Sequence, residues 1–205
     1  MDSRRAILII ACGALAREIN ALRRANDWAV DVQCLAPELH NHPQRIAPAV
    51  RERIRAHRGQ YRAIFVAYAE CGTMGQLDRV LAEEGVERLP GAHCYEFYAG
   101  ASTFAELADA EPGTFYLTDF LTRHFERLVI HELGIDRHPQ LAQEYFRHYR
   151  KVVYLAQEPS SALIEQARQA AVRLGLAFEQ RLTGYGELGT RLTALATGAA
   201  PAWQV

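Results

Sequence analysis

Short apolar runs alternate with stretches of helical periodicity along almost the whole chain, and this alternation most restricts the folds open to it. The run at Ala6–Ala11 reads as a buried strand, and the residues from Ala14 to Ala25 then repeat Leu15, Ile19 and Leu22 at helical spacing. Asp31–Leu35 reads as a second strand, and the stretch from Pro43 to Arg58 puts Ile46, Val50 and Ile54 on one helical face. Ala63–Ala69 ("AIFVAYA") is the clearest buried strand. Met74–Glu84 follows as a helix with Leu77, Val80 and Leu81 inward, and Gly85 stops it as a C-terminal glycine does. A short strand is expected at Val86–Leu89 and a helix near Ser102–Ala108. "PGTFYLT" carries no assigned element, and a mostly helical stretch extends through Tyr149. Lys151–Ala156 (strand), Ser160–Leu174 (helix) and Ala177–Arg181 (strand) complete the series. The pattern predicts an α/β fold: a single layered domain over 1–205, with a mainly parallel sheet flanked by helices. Ala6–Ala11, Ala63–Ala69 and Lys151–Ala156 are expected in that one sheet. Right-handed crossovers bring the loops after each strand to one edge, where ligands of open sheets bind. Only the Ala/Gly-rich tail from about Thr197 reads as flexible.

With 205 residues, 49% of them hydrophobic and 23% charged, the chain can bury a core unaided. A net charge of −1 gives no electrostatic case for nucleic acid or an anionic membrane. The apolar runs are too short to cross a bilayer. The opening "MDSRRAILIIACGALARE" has two arginines ahead of an apolar run, but Arg17 and Glu18 follow it at once, so it reads as a first strand rather than a signal peptide. A cytoplasmic location is therefore expected. In that reducing compartment, cysteines at special positions are more often catalytic or metal-binding than disulfide-bonded.

Of the four cysteines, Cys12, Cys71 and Cys94 share a context. Each follows a predicted strand within a glycine-containing segment, which places cysteines at strand C-terminal ends. Cys34 sits inside a short strand and is expected to pack as a small hydrophobe. Two readings of the three remain open: buried core residues, or ligands of one metal. There is no CxxC pair, so a zinc ribbon is excluded. Three thiolates favour soft ions, either an iron–sulfur cluster (4Fe-4S) with one open iron or zinc with a fourth ligand such as His93 or His40. His93 directly precedes Cys94 and is equally placed to sit outside the ligand shell.

Other polar clusters have two readings each. "LHNHPQ" offers His40 and Asn41 as substrate-binding groups, or as parts of a solvated turn before a helix-starting proline. "HCYEFYAG" mixes His93 and Glu96, candidate proton carriers, with aromatics suited to a small-molecule pocket or to a core. In "TDFLTRHFERL", Arg123 has the planar fork to hold a substrate carboxylate, or it pairs with Asp119 on a helix surface. "TGYGELG" lacks the order of a phosphate loop and reads as a flexible loop closing over the site.

Taken together, "ACGALARE", "HNHP", "IFVAYAECGTMGQLD", "GAHCYEFYAG", "EPGTFYLTDFL" and "LTGYGEL" resemble the domain-of-unknown-function family 1638, from about Ala6 to Leu192. The resemblance implies a setting rather than a reaction, since such proteins are similar to ones encoded beside corrinoid-dependent methyltransferases that act on methylated amines. It also implies that Cys12, Cys71 and Cys94, with His40 and Asn41, stand in the family's signature segments.

The expectation drawn from residues and resemblance together is a cytoplasmic metalloprotein of corrinoid-linked one-carbon or methylamine metabolism. Cys12, Cys71 and Cys94 would hold a Lewis-acidic metal acting on a small-molecule substrate, in a lyase, hydrolase or methyl-transfer reaction. Two alternatives are an accessory or assembly protein for a corrinoid protein or its methyltransferase, and a metal-free enzyme that uses a cysteine activated at a helix N-terminus.

Overall fold

The computed structural model describes residues 5–198, with an α/β chain in which strands and helices alternate. In chain order the elements are β1 (Arg5–Cys12), α1 (Ala16–Ala25), β2 (Val30–Leu35), α2 (Ile46–His57), β3 (Tyr61–Ala67), α3 (Gln76–Glu84) and β4 (Glu87–Arg88). They continue with α4 (Cys94–Ala99), α5 (Ala101–Ala110), β5 (Thr114–Thr118), α6 (Asp119–Arg123), α7 (Gln140–Phe146), β6 (Lys151–Ala156), α8 (Ser161–Leu174), β7 (Ala177–Leu182) and α9 (Gly186–Thr197). Short 3-10 turns precede α1 and α2, and a π-helical segment occupies Glu126–His131. Among the described residues no helix is long and apolar enough to cross a membrane.

The described residues gather into two compact units, one made of 5–94 with 187–198 and the other of Tyr95–Gly186. The first holds a parallel sheet in the order β2-β1-β3-β4. Strand β1 lies at its centre, pairing Ile7–Ala11 with both β2 and β3. Leu8, Ile9, Ile10 and Ala11 are buried in succession, as expected of a parallel strand covered on both faces. The inward stripes read from the sequence pack as expected: Ile46, Val50 and Ile54 of α2, and Leu77, Val80 and Leu81 of α3, are all buried. Gly85 caps α3 in the left-handed region at φ 65°, and Val86 N–H closes onto Leu81 O at 3.0 Å.

The second unit holds a parallel sheet in the order β5-β6-β7. Strand β6 alternates strictly. Val152, Tyr154 and Ala156 join Leu163, Ala167 and Ala171 of α8 in one apolar layer. Val153 and Leu155 face the other way, with Tyr116, Tyr95 and Phe104. Ser160 Oγ accepts from Leu163 N–H at 3.2 Å and starts α8, while Gly175 at φ 70° ends it.

Several expectations are corrected here. Lys151–Ala156 is a strand with the predicted bounds, but it belongs to a second sheet rather than to one shared with Ala6–Ala11 and Ala63–Ala69. The first sheet ends at β4, which is two residues long and bears a Glu and an Arg, a composition that blunts an edge. "PGTFYLT" contains β5, where β-branched and aromatic residues pair with β6. The loop expected at "TGYGELG" becomes α9 from Gly186 onward, and that helix runs through Thr197, where flexibility was expected to begin. The remainder of the expected tail, from 199, lies outside the described residues. Cys34 is exposed on the edge strand β2, so it is not core filler.

Candidate functional site

One candidate cysteine ends a strand at a close backbone approach, and another sits on left-handed backbone. Cys12 is the last residue of β1, and Gly13 follows because a Cβ there would stand 2.9 Å from Leu35 O and 2.9 Å from Pro37 Cδ. The glycine lets the exits of β1 and β2 come together. Cys71 lies in the loop after β3, at φ 51° in the left-handed region that non-glycine residues seldom enter. Gly72, Met74 and Gly75 share that region, at φ 75°, 54° and 77°. The Glu70 carboxylate fixes this loop by accepting from Gly72 N–H (2.8 Å), Gly75 N–H (3.0 Å) and the Thr73 hydroxyl (2.6 Å). Backbone N–H groups of Glu70 and Cys71 also donate to Gly91 O and Ala92 O at 3.0 and 2.9 Å. The loop is thereby tied to the segment that leads into Cys94.

That tie brings the Cys71 and Cys94 sulfurs to 3.6 Å. The separation is far beyond a disulfide bond of about 2.05 Å. It is close to the spacing of two sulfurs on one tetrahedral zinc, roughly 3.8 Å from bonds of about 2.3 Å. The pair titrates as a unit. The hydrogen bond from Cys94 holds the Cys71 thiol well below the ordinary range, against the cost of burial and with further help from His40. The same bond, reinforced by burial, pushes Cys94 up. His40 lies beside Cys71, and its interaction with that sulfur raises the imidazole above its usual value despite partial desolvation. The "HNHP" segment reaches the loop at a second point, since a Cβ on Gly72 would stand 3.6 Å from Pro43 Cγ.

Cys12 is buried near this pair, and burial pushes its thiol up to about 11, with a hydrogen bond from the Ala14 backbone opposing the shift and the nearby Cys71 adding to it. Tyr68, 1% exposed, stands beside Cys12. Burial, and then the adjacent Cys12, raises its phenol. Among the described residues no three of His, Cys, Asp and Glu stand close enough together to hold one ion as they are. Cys71 and Cys94 already have ligand spacing, whereas Cys12 and His40 flank them within electrostatic reach.

The other predicted residues are placed as follows. Asn41 ends the 3-10 turn Pro37–Asn41 and is exposed. His93 is exposed immediately before α4. Glu96 and Arg123 belong to the second unit. Glu96 lies half-buried in the first turn of α4, and Arg123 ends α6 with its guanidinium 3.4 Å from Asp119. Asp119 is 1% exposed, so this is not the surface salt bridge of the sequence reading. Its carboxylate accepts from Tyr154 Oη–H (2.6 Å), Gln157 N–H (3.0 Å) and Glu158 N–H (2.9 Å). Gln157 Oε1 in turn accepts from Asp119 N–H at 2.8 Å. This network ties the end of β5 to the end of β6.

Sequence reasoning missed Tyr68 and Glu70. Tyr68 falls within an apolar run and looks like core. Glu70 beside a glycine-rich turn is the signal that could have been read, since an acidic side chain there can accept from turn N–H groups.

The family described as "Protein of unknown function (DUF1638)" matches residues 34–192. The chain belongs to this family. Its DUF1638 region takes in Cys34, Cys71, Cys94, His40 and Tyr68, and starts after β1 and Cys12. No curated protein matches the chain.

Proposed function

We propose that this DUF1638 protein is a cytoplasmic metal-binding enzyme whose metal is held by Cys71, Cys94 and Cys12. The observation that carries this reading is the free thiol pair at 3.6 Å, with Cys12 and His40 beside it. The donor set fits zinc or an iron–sulfur cluster, because thiolate and imidazole are soft to borderline ligands. Once bound, either supplies a Lewis acid to a small substrate. Cys71, whose thiol is depressed, and Cys94 would ligate as thiolates, and Cys12 closes in from the end of β1. His40 is positioned to take up the proton from the pair and to keep Cys71 ionised. Asn41 and His93 are open to solvent in the same unit, where they can meet a small molecule. The metabolic setting proposed is corrinoid-linked one-carbon or methylamine chemistry, with a corrinoid protein or methyltransferase as partner.

Anaerobic purification with metal and sulfide analysis tests the reading. Expected are stoichiometric metal in the native protein and its loss in Cys71→Ser and Cys94→Ser, since a hydroxyl replaces a soft thiolate poorly. Cys12→Ser should also weaken retention. Native protein without metal, alkylated selectively at Cys71, would instead favour a metal-free cysteine enzyme. The depressed Cys71 thiol is the observation on that side. Capture of a corrinoid protein by a chain that turns over no methylated amine would point to an accessory role.

A further inference from the structure

We propose that Tyr68 is a positioning residue for Cys12, its hydroxyl donating a hydrogen bond to the Cys12 sulfur when that sulfur is a metal-bound thiolate. The inference rests on the metal-centre reading above and assigns that centre a group supporting the ligand at the end of β1.

Tyr68 follows directly on β3, one residue beyond its last paired residue Ala67. Its side chain is 1% exposed, and its hydroxyl has no hydrogen-bond partner among the described residues. Leaving a buried hydroxyl unpaired costs stability, so nearly all such groups are satisfied. A phenylalanine would fill the same space without that cost. The hydroxyl is not isolated, however. It stands beside Cys12 and within electrostatic reach of Cys71 and Cys94, so every thiol of the candidate centre surrounds it. A neutral thiol is a weak acceptor, whereas a thiolate is a strong one that favours an O–H donor. The hydroxyl thus lacks a good partner in the metal-free protein and gains one when Cys12 ionises to bind metal. Cys12 is also the ligand in most need of help, since it is buried and, among the described residues, lacks the close thiol partner that Cys71 and Cys94 give each other. Donors to a ligating atom fix its orientation and tune the metal.

The test uses cobalt(II) added anaerobically to the reduced full-length chain, comparing native protein with Tyr68→Phe and Tyr116→Phe. Tyr116 also carries a buried hydroxyl without a partner, but it lies in the second unit among Tyr95 and Phe104. Native protein should show thiolate-to-cobalt charge-transfer absorption. Tyr68→Phe should shift that band to lower energy, because an unsupported sulfur gives up its electron more readily, and should weaken cobalt binding by about 10- to 100-fold. Tyr116→Phe should leave both unchanged. Without metal, Tyr68→Phe should melt at the native temperature or above it, since the hydroxyl removed had no partner. A Tyr68→Phe variant that binds cobalt with the native spectrum and affinity overturns this inference alone. A variant that is unfolded or markedly less stable without metal overturns it as well, by showing a structural role. Native protein that takes up no cobalt overturns the metal-centre reading and this inference with it.

Discussion

At the carboxyl ends of β5 and β6, Asp119 is surrounded by donors: a phenol, two backbone N–H groups and a guanidinium. Beyond the carboxyl ends of β1 and β3 lie the buried sulfurs of Cys12 and Cys71, the Cys94 sulfur beside them and a buried phenol, Tyr68, whose hydroxyl has no partner among the described residues. Both sheets are parallel, and both bring loops to the edge where parallel sheets bind ligands. In the second unit the buried charge is saturated, as a structural network must be to avoid the cost of burial. The first unit leaves a thiol pair at 3.6 Å and, near it, a buried hydroxyl without a partner among the described residues. A closed network holds strands together, whereas an open one has capacity for a ligand.

The contrast is most easily broken at Asp119. Asp119→Ala removes the acceptor for three donors and leaves the Arg123 guanidinium unpaired, so a loss of about 3–5 kcal/mol is expected in urea unfolding followed by circular dichroism. A change below about 1 kcal/mol would show that the network is not the structural tie argued here. Metal content of any variant that stays folded should remain native, which sharpens the division of roles between the two strand ends.

A smaller effect is expected at Glu70, which holds the Cys71 loop. Hydrogen bonds from Thr73, Gly75 and Gly72 keep its carboxyl below the usual range. A carboxyl depressed in the folded state contributes stability that is present above its unfolded value, about 4.3, and is lost as pH falls through the lower folded value. Glu70→Gln should therefore cost under about 1 kcal/mol at neutral pH, after solvent screening, with the difference from native vanishing in acid. A difference that grows on acidification would contradict the assignment. The variant should also widen the Cys71–Cys94 separation, seen as slower formation of a disulfide between them under mild oxidation. The smallest effect belongs to Cys34→Ser. On the exposed edge of β2 it should change stability by less than about 0.5 kcal/mol and metal content not at all.

Most elements were legible in the sequence because their signals are local. The buried run of β1, the helical stripe Ile46, Val50 and Ile54, and the glycine stop at Gly85 each report on residues within a turn or two of themselves. Segments with mixed signals were misread. "TFYLT" is short and sits between helices, and "GELGTRLTALAT" begins with the glycines of a loop although its later residues form α9. The π-helical turn at Glu126–His131, inside a stretch read as mostly helical, gave no sign of its own.

The sequence by itself determined that the fold is α/β with parallel strands and that a histidine-bearing segment stands near a strand exit. Hydrophobic periodicity and glycine chemistry carry that information residue by residue. Only the tertiary structure decided that the strands divide between two sheets, since the alternation of strand and helix is the same whether a sheet continues or stops at β4. It also decided which cysteines meet. Cys71 and Cys94 are 23 positions apart, and their sulfurs come to 3.6 Å because the Glu70-bound loop is hydrogen-bonded to Gly91 and Ala92. Tyr68 reads as core from its neighbours, and its unmatched hydroxyl becomes visible only when the partners around it can be counted. Burial and hydrogen-bond satisfaction depend on residues distant in the chain, and no local pattern records them.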